Sequence, residues 1–333
     1  MKGEVLASDA ALQALRPEWD TLWRRVPGAT PFQSPAWLLA WWSAFGTGLP
    51  RVALLRREGR LAGVLPLYIL EEAGQRKLLP IGVGITDYFD ALIDPALGPA
   101  AAGRLLGLAL AAVREDQVGA CDLTDLPPGA AMREATLPAG WRGTLHQTDP
   151  CPVLQLPPDE AGLIAAIPRG KRRDLRLALN RARRIGGCST EVADAESGPA
   201  LLEALIALHQ TRWVGQGSGA GLADPRVLAF HRAAVPELLA CGVVRLQVLR
   251  FGPRIVAGFY ALLAGRDRIL FYLSGFDPAQ ARESPGTILL GRMIEDAVGE
   301  GRRELHFLRG GEGYKYQWGG VDRMNASRHL VPA

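Results

Sequence analysis

The 333-residue chain has only four cysteines, Cys121, Cys151, Cys188 and Cys241, far apart and with no CxxC pair. That spacing excludes a zinc ribbon or a dense disulfide framework and fits reduced thiols in a reducing compartment. Long apolar runs are also missing. LLGLALAAV (105–113) falls well short of the ~20 apolar residues of a membrane helix and reads as a core helix. The opening MKGEVLASDAALQAL lacks the apolar core of a secretory signal. No integral membrane segment is expected, and the expected location is cytoplasmic. The glycine-rich run 214–225 has no following Gly-Lys-Ser/Thr, so it is not a Walker A loop and reads as a flexible lid. His209, His231 and His306 have no acid or cysteine partners at ligand spacing, so no metal site is expected.

Excess charge of either sign is small except in one place. The net charge is +4, yet residues 169–184 hold eight basic side chains (Arg169, Lys171, Arg172, Arg173, Arg176, Arg181, Arg183, Arg184) against one acid, Asp174. That segment alone is +7, leaving −3 for the rest. General basicity therefore does not point to DNA or other nucleic acid. Leu175, Ala178, Leu179, Ala182 and Ile185 recur at helical spacing and predict one apolar stripe. The arginines off the stripe, Arg172 and Arg176 among them, form either a solvated face or a cationic wall for a phosphorylated substrate, since a guanidinium fork binds two phosphate oxygens.

What the chain has in quantity is apolar pattern. Hydrophobic residues make up 48%, and the length exceeds the ~250–300 residues at which one core stops growing, so two domains are expected, 1–148 and 149–333. In the second, 243–251, 255–265 and 268–276 read as three antiparallel strands, 287–298 as a helix and 304–308 as a fourth strand. A polar, aromatic, glycine-bounded tail, RGGEGYKYQWGG, follows at 309–320. Helices are also expected at 199–214 and 225–240. The first half roughly repeats this order. A helix at 8–26 (Leu12, Leu15, Trp19 and Leu22 on one face) and one after Ser34-Pro35 precede a hairpin at 51–69. A helix and a strand near 120–124 end it. Trp37, Leu38, Trp41 and Phe45 are core candidates, with a sugar or acyl pocket as the alternative and Trp42 facing elsewhere. Proline punctuation at 149–160 marks the domain junction.

Ser284-Pro285-Gly286-Thr287 stands at a predicted helix start. Ser284 suits the N-cap, Pro285 the first helical position, and Gly286 a close backbone approach. Such a terminus suits phosphate, although a plain capped helix start has the same pattern. Asp87-Tyr88-Phe89-Asp90 sits at a strand end, either as chemistry or as a turn whose acids cap backbone N–H groups.

His209, Arg212-Trp213, Phe230-His231, Gly242, Arg245-Leu246, Gly258, Tyr272, Gly275, Asp277-Pro278, Pro285-Gly286, Leu308-Arg309-Gly310, Glu312, Tyr314-Lys315 and Trp318-Gly319 occur in order. As an ordered set, from about 169 to 320, they resemble the CelD/BcsL-type acetyltransferase-like proteins, a branch of the GNAT superfamily close to the Fem aminoacyltransferases. Asp87-Tyr88 also resembles that family. Two features depart from it: His306 stands where an Asp is expected, and ARESPGT replaces the usual Arg/Gln-x-x-Gly-x-Gly/Ala pyrophosphate loop.

The resemblance implies an α+β fold of tandem GNAT-like acyl-CoA N-acyltransferase domains, each a mostly antiparallel twisted sheet flanked by helices. It implies acetyl transfer from acetyl-CoA to an amine or hydroxyl of a sugar, polysaccharide or cell-envelope precursor, the acceptor being a small molecule or glycan. The alternatives are Fem-like aminoacyl transfer from tRNA and a non-catalytic GNAT-fold binding protein in polysaccharide biosynthesis. Ser284, Pro285, Gly286 and Thr287 are the expected donor-phosphate site. Tyr314 (or Tyr316) is the candidate acid, Lys315 and Arg309 neutralise anionic substrate, and His209, His231 and Asp87 are base candidates. Arg212, Trp213, Tyr88, Tyr272, Arg172 and Arg176 are the remaining substrate-binding candidates. For the tail, the competing reading has Tyr316 and Trp318 plugging the core and Lys315 in solvent.

Overall fold

Alternating apolar residues build the strands and stripe the helices that cover them. The structure is a computed structural model and describes residues 1–213 and 220–333. The run 214–219, the heart of the candidate lid, and the side chains of Arg212 and Trp213 lie outside the described residues.

In chain order the first half has β1 (Lys2–Leu6), α1 (Asp9–Ala14), α2 (Arg16–Arg25), α3 (Pro35–Phe45), β2 (Leu49–Arg57), β3 (Arg60–Glu72), β4 (Gln75–Pro80), β5 (Leu92–Ile93), α4 (Ala100–Ala112), β6 (Ala120–Leu126), α5 (Ala131–Glu134) and β7 (Trp141–Gln155). The second half has α6 (Glu160–Ala166), α7 (Arg169–Arg184), β8 (Ser189–Val192), α8 (Gly198–Trp213), α9 (Ala220–Ala223), α10 (Pro225–Ala240), β9 (Val244–Phe251), β10 (Arg254–Ala264), β11 (Arg268–Phe276), α11 (Pro285–Gly299), β12 (Glu304–His306), α12 (Gly313–Gln317) and β13 (Val321–Pro332).

Two compact units result, Met1–Pro150 with Arg323–Ala333, and Cys151–Asp322. The last eleven residues thus belong with the first unit, where the expected boundary kept them in the second. The first unit orders its strands β1-β2-β3-β4-β6-β13, with β7 beyond β13. The second orders them β8-β9-β10-β11-β12, ending on the last residues of β7. The order β-ααα-βββ-α-β runs from β8 to β12 and, with the two-residue β5 added before the long helix, from β1 to β6. In each, the strand after the long helix pairs parallel with the third strand of the βββ run, β6 with β4 and β12 with β11. The pairs β1–β2, β2–β3, β3–β4, β3–β5, β6–β13, β7–β12, β8–β9, β9–β10 and β10–β11 are antiparallel.

Several local expectations change. The helix expected at 8–26 is broken at Leu15 into α1 and α2, with Pro17 at the start of the second. Trp42 is buried like Trp37 and Trp41, its indole N–H donating to Asp9 at 3.2 Å. The three tryptophans of α3 are core, and Phe45, half-buried, stacks on Trp41 at 5.5 Å. On α7, Ala178 and Ala182 are fully buried, but Ile185 is 51% exposed because the helix has ended before it.

In the first unit α4 lies on the sheet over a core that includes Leu105, Leu106, Leu123 and Phe89. Asp90 accepts backbone N–H groups from Ala91 (2.9 Å), Ala131 (2.8 Å) and Met132 (3.1 Å), capping the short α5. Burial still dominates these bonds and pushes its carboxyl up to about 6. In the second unit α11 and α7 cover one face of the sheet, over Ala257, Phe259, Phe271 and Ile288. On α8, a side chain at Gly275 of β11 would press its Cβ to 2.6 Å from the backbone nitrogen of His209. Glycine is required there by contact between helix backbone and strand.

Two outcomes follow. Gly275→Ala should lose about 1–3 kcal/mol of stability, the usual cost of overpacking, read as a lowered denaturation midpoint; an unchanged midpoint contradicts the contact. For Asp90 the folded chain keeps its proton between the ordinary value of 3.8 and about 6, where the unfolded chain has lost it. Its contribution therefore falls as pH rises through that window, by about 3 kcal/mol. Denaturation of wild type and Asp90→Asn at pH 4 and pH 7 should show a flatter pH dependence in the variant.

Candidate active site

The parallel pairing of β11 and β12 lasts only three residues, Arg268–Leu270 against Glu304–His306. Past it β11 continues to Phe276, while the other chain turns at Leu308 into α12. A cavity of about 280 Å³ lies in this unit, lined among others by Phe271, Ser274, Gly275 and Phe276 of β11, Ser284 to Thr287, Lys171, Tyr314 and Trp318.

The Ser284-Pro285-Gly286-Thr287 turn edges this cavity, but not as an ordinary cap. Ser284 is left-handed (φ 53°, ψ 52°), and its side chain caps no helical N–H. Its hydroxyl oxygen instead accepts from the Arg181 guanidinium at 3.2 Å. Pro285 has no N–H, and the Thr287 and Ile288 N–H groups donate to the Ser284 carbonyl at 3.0 and 3.2 Å, so in the first turn of α11 the Gly286 N–H is left without an acceptor among the described residues. At Gly286 an added Cβ would find only Phe276, at 3.8 Å.

Two cations of α7 turn inward here, and neither was singled out from sequence. The Lys171 ammonium stands 5.1 Å from the Trp318 ring centroid and donates to the Thr287 hydroxyl at 3.4 Å. Partial burial lowers its pKa, opposed by the charge of Asp174. Arg181 holds Ser284. The expected pair is elsewhere: Arg176 is exposed, and Arg172 is half-buried away from the cavity lining. One sequence signal pointed to Lys171. It is the one lysine in a segment of seven arginines, on the helix side that carries Ala178 and Ala182.

Lys315 is not a solvent cation. It is 2% exposed, donates to the carbonyls of Leu308 (3.2 Å), Arg309 (2.6 Å) and Gly310 (3.0 Å), and pairs with Glu312 at 2.8 Å. Its charge is committed to the turn after β12, and neither it nor Arg309 lines the cavity. Of the tail aromatics Trp318 is buried, Tyr314 is half-buried against Phe307 (6.1 Å, edge-on), and Tyr316 is 38% exposed and donates to Asp322. Trp318 alone fills the plugging role expected of the pair.

His209, His231 and Tyr272 gather around α8, α10 and the strands beneath. Tyr260 and Tyr272 stack at 5.2 Å, and the Tyr260 hydroxyl shares a 2.8 Å hydrogen bond with His231 Nδ1. Burial, with His209 adding to it, pushes the His231 pKa down to about 3, so it stays neutral and is too weak a base near neutrality. His209 Nδ1 lies 2.9 Å from the Ser274 carbonyl. A carbonyl only accepts, so Nδ1 carries the proton and Nε2 the lone pair of the neutral ring. Ser274 itself lines the cavity, so one residue of β11 links the imidazole to it. His306 is buried and bonded to Glu304 at 2.9 Å. Among the described residues no cluster could hold a metal ion.

Asp87 and Tyr88 belong to the first unit. Tyr88 is buried edge-on to Phe32, and the Asp87 carbonyl accepts from Asn325 at 2.9 Å. Asp90, as described, caps backbone.

Residues 169–316 match the acetyltransferase (GNAT) domain family. No curated protein matches the chain. Among solved structures it is similar to FemX at 12% identity, over 98% of this chain and 97% of that one, with a TM-score of 0.67. A conserved protein of unknown function from Bacteroides thetaiotaomicron VPI-5482 is similar at 14% identity, over 98% and 100%, with a TM-score of 0.60. So is L-PGS from Bacillus licheniformis, at 13% identity, over 96% and 91%, with a TM-score of 0.55. The cavity along β10 and β11, the helix start at its edge and this match agree: the chain has the GNAT fold and carries a GNAT acetyltransferase domain in residues 169–316.

Proposed function

We propose that the second unit is an acyltransferase that takes its acyl group from a coenzyme A thioester, acetyl-CoA in the simplest case. It passes that group to an amine or hydroxyl of a sugar, polysaccharide or cell-envelope precursor, as in the CelD/BcsL-type proteins. The observation that carries this reading is the cavity along β10 and β11, with the uncapped start of α11 at its edge. Gly286 meets the donor phosphates with its backbone N–H, and Lys171 adds a cation. Tyr314 supplies a proton to the departing thiolate. His209, through Nε2, takes the proton of the attacking group, while its Nδ1–H stays anchored on Ser274. Direct transfer needs proximity and a base, with no covalent enzyme intermediate. Lys315 sets the turn that aims Tyr314, and its role is positional.

The absent family pyrophosphate loop keeps aminoacyl transfer from tRNA as the competing donor reading. Titration with acetyl-CoA and with aminoacyl-tRNA, read by calorimetry, separates the two. Binding of neither leaves a non-catalytic binding protein.

Gly286→Asp should fold normally, because the site has room and an acid suits a helix N-terminus. It should weaken acetyl-CoA binding about 10- to 100-fold, the loss of hydrogen bonds to a charged group. Unchanged affinity removes the phosphate role. Tyr314→Phe should slow transfer by about 10²–10⁴-fold with little change in melting temperature; full activity rejects it as the acid. Lys315→Met, by contrast, leaves three carbonyls without their donor and should cost about 3 kcal/mol. A variant with wild-type stability but slow transfer would return Lys315 to the chemistry.

A further inference from the structure

The largest concentration of charge outside the cavity is the outward face of α7. At 100° per residue, Arg169, Arg173, Arg176, Leu177, Asn180, Arg183 and Arg184 fall within an arc of about 120°, and all are exposed. The helix's one acid, Asp174, lies off that arc. None of the five arginines meets a carboxylate among the described residues; Arg183 donates only to Asn180, at 3.3 Å. Leu177 lies halfway along the helix, at one edge of this arc, and is 41% exposed. The remainder of the chain sums to −3, so this field is local and has a direction.

We propose that this face docks the protein on an anionic lipid bilayer. The helix has 16 residues, a row of about 24 Å, and five unpaired guanidinium groups along a straight row match a plane of anionic headgroups. Their aliphatic stems can lie along apolar surface while the charges stay in the headgroup layer. Leu177 decides against a nucleic acid partner. An exposed branched apolar side chain among the arginines gains nothing against a phosphate backbone but gains burial at an acyl boundary. The opposite side of the helix carries Lys171 at the cavity. Docking therefore holds the cavity about one helix diameter, ~10–12 Å, from the headgroups.

The test is flotation of the full chain with vesicles of phosphatidylcholine alone and vesicles containing one-third phosphatidylglycerol. Binding is expected on the anionic vesicles only, and it should vanish near ~1 M salt, where charges are screened within about 3 Å. Combining Arg173→Gln, Arg183→Gln and Arg184→Gln should lower the partition coefficient about 100-fold, roughly fivefold per charge removed. Circular dichroism checks that the helix remains. Leu177→Ser should weaken binding at every salt concentration and leave the salt slope unchanged. Equal binding to neutral vesicles overturns the proposal, as does a triple variant that binds like wild type. Homopolymer RNA binding by a chain that ignores both vesicles also overturns it and makes the face a nucleic acid surface.

Discussion

The ammonium of Lys315 holds the candidate site open. Where β11 and β12 part, the backbone after β12 loses its sheet partner, and its carbonyls need others. Lys315 supplies them for three consecutive residues, Leu308, Arg309 and Gly310, and Glu312 balances the charge. Leu308 is left-handed (φ 59°), an unfavourable state for a bulky residue. Such a state persists only where its surroundings over-determine it, and a buried cation on its carbonyl does that. The turn so fixed starts α12, which sets Tyr314 and Trp318 on the cavity wall.

The first unit meets the same problem and solves it differently. β4 and β6 also pair parallel, for two residues, and β6 also carries a left-handed residue, Asp125 (φ 56°). Its carbonyl accepts from the Phe89 backbone N–H at 2.8 Å. Here the chain itself meets the strand, and Phe89 and Ala91 join the core. One topological break thus serves packing in one unit and a lined cavity in the other. This is why Asp87-Tyr88-Phe89-Asp90 looks like a site in the sequence: strand-end acids beside glycines are common to a cap and a catalytic loop.

Strongly periodic stretches were legible. The three strands β9 to β11, helix α11 and the pairs of long helices appear where apolar spacing puts them. Pro285 marks the first residue of α11, as its missing N–H allows. The left-handed Ser284 was not legible, because Arg181, which holds it, is 103 residues away. Nor was the burial of Lys315, since a lysine in a polar tail gives no local sign of three waiting carbonyls. Pro150 and Pro152 read as a linker yet lie within β7, the strand through which the chain passes from one unit to the other. There the Pro152 carbonyl accepts from Phe307 at 2.9 Å, a bond that asks nothing of the missing proline N–H.

The division of labour on α7 explains why its basic residues are not interchangeable. Small residues at 178 and 182 let the helix approach the α11 side of the sheet, which brings Lys171 and Arg181 to the cavity. Arg181 has a fixed task, and a permanently charged fork suits it. Lys171 stands against an aromatic ring in a half-buried place where desolvation lowers its pKa. Its compact ammonium reaches the Thr287 hydroxyl there at the cost of part of its hydration. Outside, where water bears that cost, arginine fills every charged position of the exposed stripe.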